Sequence, residues 1–421
     1  MRKIAFYLDK GNLEQLDYST FKKGNPGMGG SEYEFLLVSQ LLRERNNGLE
    51  IILLSETKLP PPIYAHRVNG MDNVCSYCRE NKYDVLVINQ AQYETFRCAD
   101  NYGIYVILWI HNMVSDQKLI QWYKDSRVLR LVFCGREHLE YYYDHVAMRK
   151  SKWIYNIFPV EPKEWYVSKM KSKDNHNVVY MGAIASGKGF HLLAQAWPYI
   201  LSKIPDAQLY VIGSGRLYDK KAKMGRYGIA SQDYEDVIMP SLTDDTGKII
   251  DSVHFLGILG NEKYNNMGRC KVGVPNPSGQ TETFCLTAIE MQLMGCSLTT
   301  IHHMAYLDTI YNQRFLYNDK KKLAEYVVNR LLADPDNFDD LYSFITHRFS
   351  MNLSLERWEK LFLDINSRFI DIEPYSENFI VRKKVKSIIL KMKMVFPPLA
   401  YFPILERWMA FIDRLEGKSN N

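Results

Sequence analysis

The stretch Ser278-Gly-Gln-Thr-Glu-Thr-Phe-Cys-Leu-Thr-Ala-Ile-Glu-Met-Gln-Leu-Met-Gly-Cys296 sets two carboxylates, Glu282 and Glu290, around the start of a helix that is otherwise nearly all apolar. Phe284, Cys285, Leu286, Ala288, Ile289, Met291, Leu293 and Met294 leave that helix little polar surface. A helix apolar on most faces is a buried helix. Glu290 is therefore predicted to sit in a dry place, where a carboxylate needs a partner, and a sugar or ribose diol would serve. Glu282 falls just before the helix, where unpaired backbone N–H groups and the helix dipole favour an anion such as phosphate. Two carboxylates for hydroxyls, beside an N-terminus for phosphate, suit a nucleotide-sugar site.

Outward from this element, short apolar runs alternate with helical patterns. Lys3–Leu8, Glu50–Leu54, 84–88, Tyr105–Ile110 and Leu129–Phe133 read as strands, with helices such as Ser31–Arg45 and Gln117–Lys124 between them. The runs are continuous rather than alternating, as in parallel sheets covered on both faces. A second series follows, with strands at Asn177–Met181, Ala207–Ile212, Val253–Leu256 and Val272–Val274 and helices at His191–Ser202 and Phe284–Met294. Two successive βαβ series predict an α/β chain of two doubly wound domains. The expected boundaries are a first domain at 1–160, a Pro- and charge-rich linker at 161–176 and a second domain at 177–350. Two loops are long for βα connections, Asp9–Gly30 and Gly213–Asp251, which marks them as functional candidates.

At 421 residues the chain exceeds one ordinary core, in keeping with two domains. Its 46% hydrophobic and 24% charged residues are those of a soluble globular protein. A net charge of +5 is too small to require a nucleic-acid partner. The first residues read as a strand rather than a signal peptide, and no uncharged apolar run reaches spanning length. Seven scattered cysteines, an odd number, fit a reducing cytoplasm. Cys75-Ser-Tyr-Cys78 has no second pair at zinc spacing and reads as two thiols on a short helix.

Three further elements carry chemistry. Asn25-Pro-Gly-Met-Gly-Gly-Ser-Glu32 follows a strand and opens an amphipathic helix; its glycines admit an anion to the backbone amides, and Ser31 is the expected cap. Trp109-Ile110-His111-Asn112 ends a strand in a histidine, and ligands of open α/β sheets sit at the carboxyl ends of strands. Gly182-Ala-Ile-Ala-Ser-Gly-Lys-Gly189 lies between a strand and a helix, one residue short of a P-loop: Gly189 stands where Ser or Thr would ligate Mg²⁺. No strand ends in a Walker-B aspartate, yet Lys188 is placed to neutralise a diphosphate. Asp334-Pro-Asp336 resembles a metal-binding D-x-D but follows a helix, and reads as a connecting turn.

Together these pieces resemble glycosyltransferase family 4, retaining enzymes of the GT-B fold, from the Gly-Gly-Ser-Glu loop to about Ile370. The resemblance is carried by Gly29-Gly30, His111, Gly182 with Lys188-Gly189, Phe255-Leu256-Gly257, and the Glu282-x7-Glu290 element closed by Gly295. It implies two Rossmann-like domains facing a cleft and a C-terminal helix, 351–372, that crosses back to the first domain. It also implies roles. The amides of Gly29 and Gly30, with Lys188, would hold the diphosphate of a UDP- or GDP-sugar. Glu290 would bind the ribose and Glu282 the donor sugar, with His111 near its reacting end. The amides of Phe284 and Cys285 would complete the anion site. No protein-bound metal is expected, and the acceptor would be a glycan or lipid-linked glycan of surface polysaccharide synthesis on the cytoplasmic side.

Two positions depart from the family pattern. Ala183 stands where arginine usually follows the glycine, and Cys285 replaces a usual glycine. Arg216 is the candidate substitute for the missing cation, a group worth several kcal/mol to a departing diphosphate. The departures keep a non-catalytic nucleotide-sugar or glycan binder as one rival, and the Gly182–Lys188 run keeps a P-loop NTP-using enzyme as another. Beyond the resemblance lies a basic amphipathic tail, 373–421. Residues 380–412 hold six cations between Arg382 and Lys393, then an aromatic apolar segment. They read either as helices packed on the second domain, their lysines merely solvated, or as helices lying on an anionic membrane surface.

Overall fold

A computed structural model of the chain describes residues 2–9, 13–45, 48–83, 85–217, 221–365 and 380–415. They form two compact units: unit 1 joins 1–159 to 349–421, and unit 2 is the continuous stretch 160–348.

Unit 1 is built on seven parallel strands: β1 (Arg2–Leu8), β2 (Leu49–Ser55), β3 (Ala65–Arg67), β4 (Val85–Asn89), β5 (Tyr105–Ile110), β6 (Val128–Phe133) and β7 (Ser151–Trp153). Their order is β3-β2-β1-β4-β5-β6-β7. Successive side chains of a strand point to opposite faces, so β1 sends Ile4 and Phe6 into one core layer and Ala5 and Tyr7 into the other. Helix α1 (Gly30–Glu44) covers the first face with Phe35, Leu36 and Leu42. The helix Gly70–Glu80 covers the second with Val74, Cys75 and Cys78.

Unit 2 repeats the plan with five strands: β8 (Asn177–Met181), β9 (Gln208–Ile212), β10 (Val253–Gly257), β11 (Val272–Gly273) and β12 (Ser297–Leu298). Their order is β10-β9-β8-β11-β12, so the direction of winding reverses between β8 and β11. Helix α2 (Phe190–Lys203) buries Leu193, Ala194, Trp197 and Ile200, and helix α3 (Leu286–Leu293) buries Ala288, Ile289, Met291 and Leu293. The long insertion after β9 folds around one carboxylate: buried Glu235 accepts N–H groups from Tyr227, Ile229 and Ala230 at 2.8, 2.8 and 3.1 Å.

The chain departs from the sequence reading in three places. The expected linker carries a helix, Lys163–Val167, and belongs to unit 2. There Lys173 Nζ donates to the carbonyls of Gly268, Cys270 and Met294 at 2.9, 2.7 and 2.8 Å, an internal cap that composition cannot distinguish from a solvated charge. Strands β3, β7 and β12 went unpredicted because runs of two or three residues carry no period. The last segment belongs to unit 1 and not, as its packed reading had it, to the second domain, and three of its lysines are buried rather than solvated. Helices α4 (Met351–Leu363), α5 (Ile380–Val395) and α6 (Leu405–Leu415) all fall in unit 1. In α4, Trp358 and Phe362 meet Phe6 edge-on at 6.1 Å. The expected extension of this helix to 372, and the tail residues 373–379 and 416–421, lie outside the described residues.

Candidate functional site

Two loops meet where the unit 2 sheet reverses, which is where open α/β sheets bind ligands. The first, Gly182–Gly189, follows β8, closes with a tight turn at Ser186–Lys188 and opens α2 at Gly189, whose φ is +66°. The second, Asn276–Cys285, follows β11 and enters α3. Ser278 Oγ locks them together, 3.2 Å from the Gly187 carbonyl oxygen and 2.8 Å from Asn276 Oδ1. A Cβ on Gly189 would stand 2.6 Å from the Ser278 amide nitrogen. The loop therefore has no room for the hydroxyl residue a Mg²⁺-binding P-loop needs there.

The lock brings two of the expected site residues into contact. Lys188 Nζ donates to Glu282 Oε2 at 3.0 Å, and Asn276 Nδ2 donates to the same oxygen at 3.0 Å. The Lys188 and Glu282 side chains are only 21% and 13% exposed. Thr281, immediately before Glu282, holds φ at 60°. A non-glycine residue in that region stores about 1–3 kcal/mol, which the surrounding loop must offset. His303 faces the same cluster; burial holds its imidazole below the usual histidine range while the Glu282 charge pulls the other way.

Glu290 lies on α3, but it is not waiting alone for a ligand as the sequence suggested. Its Oε1 accepts from Lys263 Nζ at 2.5 Å and from the Tyr264 hydroxyl at 3.3 Å. Its Oε2 takes no hydrogen bond among the described residues. Lys263 comes from the helix Glu262–Gly268, 27 positions earlier, and nothing in that polar stretch announces an inward lysine. One carboxylate oxygen is thus clamped and the other is left to accept.

The remaining residues of unit 2 are less aligned with expectation. Phe284 and Cys285 are buried at the start of α3, and Cys285 Sγ lies 3.2 Å from Thr287 Oγ1. Burial pushes the Cys285 thiol up to about 12, so it is no nucleophile at neutral pH. The Gly182 amide is already committed to the Ile212 carbonyl at 3.0 Å. Ala183 is buried. Arg216 has an exposed side chain whose Nε donates to the Ala222 carbonyl at 3.1 Å, so its guanidinium is engaged within its own loop.

In unit 1, Gly29 is the N-cap of α1, and no side chain caps the helix; Ser31, the expected cap, sits inside it with Oγ 3.1 Å from Glu32 Oε2. The Glu32 carboxylate lies over Gly29, where any Cβ would collide with it. An anion approaching Gly29 and Gly30 must therefore displace a resident carboxylate. His111 follows β5, buried beside Trp109 and Phe35 with ring centroids 4.7 and 6.1 Å away. Burial drives its pKa down to about 3, against upward pulls from hydrogen bonds to Asn156 and the Trp109 backbone, so the imidazole is neutral at physiological pH. The next residue after Asn156 leads back to α1: the Ile157 amide donates to Glu34 Oε2 at 2.9 Å. Glu34 is fully buried, and desolvation raises its pKa well above the ordinary carboxylate value. Its place inside Tyr33-Glu34-Phe35-Leu36-Leu37 was the available signal.

The dismissed motifs have structural roles. Asp336 forms an ion pair with Arg330 at 2.9 Å and accepts from Asn312 at 2.7 Å in a turn after the helix Leu323–Leu332. Cys75 and Cys78 are buried, with thiols raised to about 11 and about 12 by desolvation.

No family model matches the chain, and no curated protein matches it in sequence. Solved structures do resemble it. HepE from Anabaena, in complex with UDP and glucose, superposes with a TM-score of 0.60 at 14% identity, covering 86% of this chain and 100% of that one. Sucrose-phosphate synthase from Thermosynechococcus elongatus gives 0.61 at 14%, covering 87% and 99%. A glycosyltransferase from Rickettsia africae gives 0.59 at 14%, again covering 87% and 99%. The likeness shows the fold, GT-B with two Rossmann-like domains.

Proposed function

We propose that this chain is a nucleotide-sugar-dependent glycosyltransferase that moves a hexose, with retention, from a UDP- or GDP-sugar to a glycan or lipid-linked glycan. The observation that carries the reading is the arrangement around α3. Lys188 and Glu282 pair before its first turn, and Glu290, farther along, keeps one carboxylate oxygen open for a hydroxyl.

Each group has a task in this reading. Lys188, held by Glu282, turns its charge to the donor diphosphate. That cation stabilises the leaving group as charge develops, and the amides at the start of α3 add to it. No resident metal is needed in this reading. Glu282 orients Lys188 through one oxygen and takes a donor-sugar hydroxyl with the other. Glu290 accepts from the ribose through Oε2. In this reading the departing diphosphate assists deprotonation of the acceptor on the same face.

The buried alanine at 183 and the engaged guanidinium of Arg216 favour one rival, a protein that binds a nucleotide sugar without turning it over. A panel of UDP-, GDP- and ADP-sugars distinguishes the two. The transferase slowly hydrolyses one donor and binds its nucleotide; the binder shows calorimetric affinity and no hydrolysis. Consumption of ATP with neither would overturn both.

A further inference from the structure

The C-terminal helices bury three of their cations and leave many of their large apolar side chains exposed. In α5, Lys383, Lys386 and Lys393 are all buried. Lys383 Nζ meets Glu140 Oε2 at 2.6 Å. Lys386 Nζ meets Glu406 Oε1 at 2.5 Å and the carbonyls of Glu140 and Tyr141 at 2.7 and 2.9 Å. Lys393 Nζ donates to the carbonyls of Phe402 and Pro403 at 2.9 and 3.2 Å, with Asp144 3.8 Å away. Arg407 of α6 pairs with Asp116 at 2.7 Å, and Ile404 is fully buried in the unit 1 core. These contacts fix the segment to unit 1 by its polar side. The face left to solvent is apolar: Ile388, Val395, Phe396, Phe402, Trp408 and Phe411 are each 40–70% exposed. Large apolar side chains exposed in this number on one segment mark an interaction site.

The geometry points to an occupant, the surface of a bilayer containing anionic lipids, with α5 and α6 lying in its interface. Two observations select it over a protein partner. First, Lys384 and Lys391 share the outer face of α5 with Ile388 and Val395, at helical spacings of four, three and four, and both lysines are exposed. Charged residues are depleted from the centre of a dry protein interface, whereas lysines among apolar residues suit a headgroup layer, stem down and ammonium up. Second, the fringe is cationic. Exposed Arg149 lies on the turn Val146–Lys150, which packs against α5, and Lys124 lies 4.6 Å from the ring of exposed Tyr401. Exposed aromatic side chains beside cations form an interface anchor rather than a spanning segment, and no helix among the described residues is long and apolar enough to cross a membrane. The six cations counted in the sequence are thus divided: Lys383, Lys386 and Lys393 fasten the anchor to unit 1, Arg382 pairs with Glu406 at 3.3 Å, and exposed Lys384 and Lys391 face lipid.

The full-length protein should co-sediment with phosphatidylcholine vesicles containing one-third phosphatidylglycerol, and less with phosphatidylcholine alone. The variant K384A/K391A should lose about thirtyfold in affinity for the anionic vesicles only. The variant I388S/F411S should lose at least tenfold on both, with an unchanged melting temperature because both side chains are already exposed. Failure of the parent to bind anionic vesicles at low salt overturns the proposal. So does a parent dimer that I388S/F411S abolishes without any vesicle binding, since the face would then be covered by a second copy.

Discussion

Glu290→Gln tests the assignment of the α3 carboxylate most directly. The substitution keeps shape and hydrogen-bonding capacity but removes the charge that meets Lys263 at 2.5 Å. The two side chains are 16% and 12% exposed, so the pair lies between the surface and buried limits. Exposed pairs contribute about 0–1 kcal/mol, and removing one partner of a buried pair costs about 3–5. With the amide oxygen still able to accept from Lys263, a loss of about 1–2 kcal/mol is expected, a fall of roughly 2–8 °C in melting temperature for a unit of this size. Binding should suffer separately. A hydrogen bond to a charged acceptor contributes about 1 kcal/mol more than one to a neutral acceptor. With one or two ribose hydroxyls on Oε2, UDP should bind roughly tenfold more weakly. The decisive measurement is calorimetry with UDP and with its 2′,3′-dideoxy analogue. The parent should prefer UDP, and most of that preference should vanish in Glu290→Gln. If parent and variant discriminate the two nucleotides equally, Glu290 does not touch the ribose, whatever its effect on stability.

Lys188→Ala should lower turnover of the preferred donor about a hundredfold while circular dichroism stays native; near-normal turnover would assign the diphosphate to another cation. Glu34→Gln should stabilise the protein at neutral pH. Its raised pKa means that the folded state keeps a proton the unfolded state releases above pH 4.5, so the parent loses about 1.4 kcal/mol per pH unit above that value while the folded carboxyl stays protonated. The gain should shrink to nothing as the pH approaches 4, and a pH-independent difference would refute it. Trp358→Ala, which empties a fully buried site against Phe6, Trp109 and Phe362, should destabilise unit 1 by about 3–5 kcal/mol in urea titration.

Legibility in the sequence followed the range of the interaction that decides each feature. Strands β1, β4 and β5 were readable because a central parallel strand is apolar on both faces. Lys188 and Glu282 were each readable as candidates, one for a diphosphate and the other for a donor sugar, though not as a contact. Asn276, Lys263 and Thr281 were not readable, because their roles arise from loops meeting in space or from a backbone angle, and a polar residue in a loop carries no period. The two-sidedness of α5 was visible, but which side faces water was not. An amphipathic pattern fixes the angle between two faces and says nothing of which one a neighbour will claim; here Glu140, Asp144 and Glu406 claim the lysines. The same limit applied to Glu290, for which the sequence suggested a ribose or sugar diol and not the lysine that clamps one of its oxygens.

The return of the chain to unit 1 has a consequence for biosynthesis. Unit 2 is contiguous, so all its parts have left the ribosome once residue 348 is clear, and it can close as a guest within an unfinished host. The host cannot: β1 is made first, yet the aromatic ring that seals Phe6 belongs to Trp358, and Ile404 completes the other layer. Through most of translation, then, the first-made sheet keeps an apolar face uncovered. A chain stalled or cleaved between the units would release a finished guest and a sticky, half-lidded host, so chaperone demand should track the last segment to emerge rather than the first.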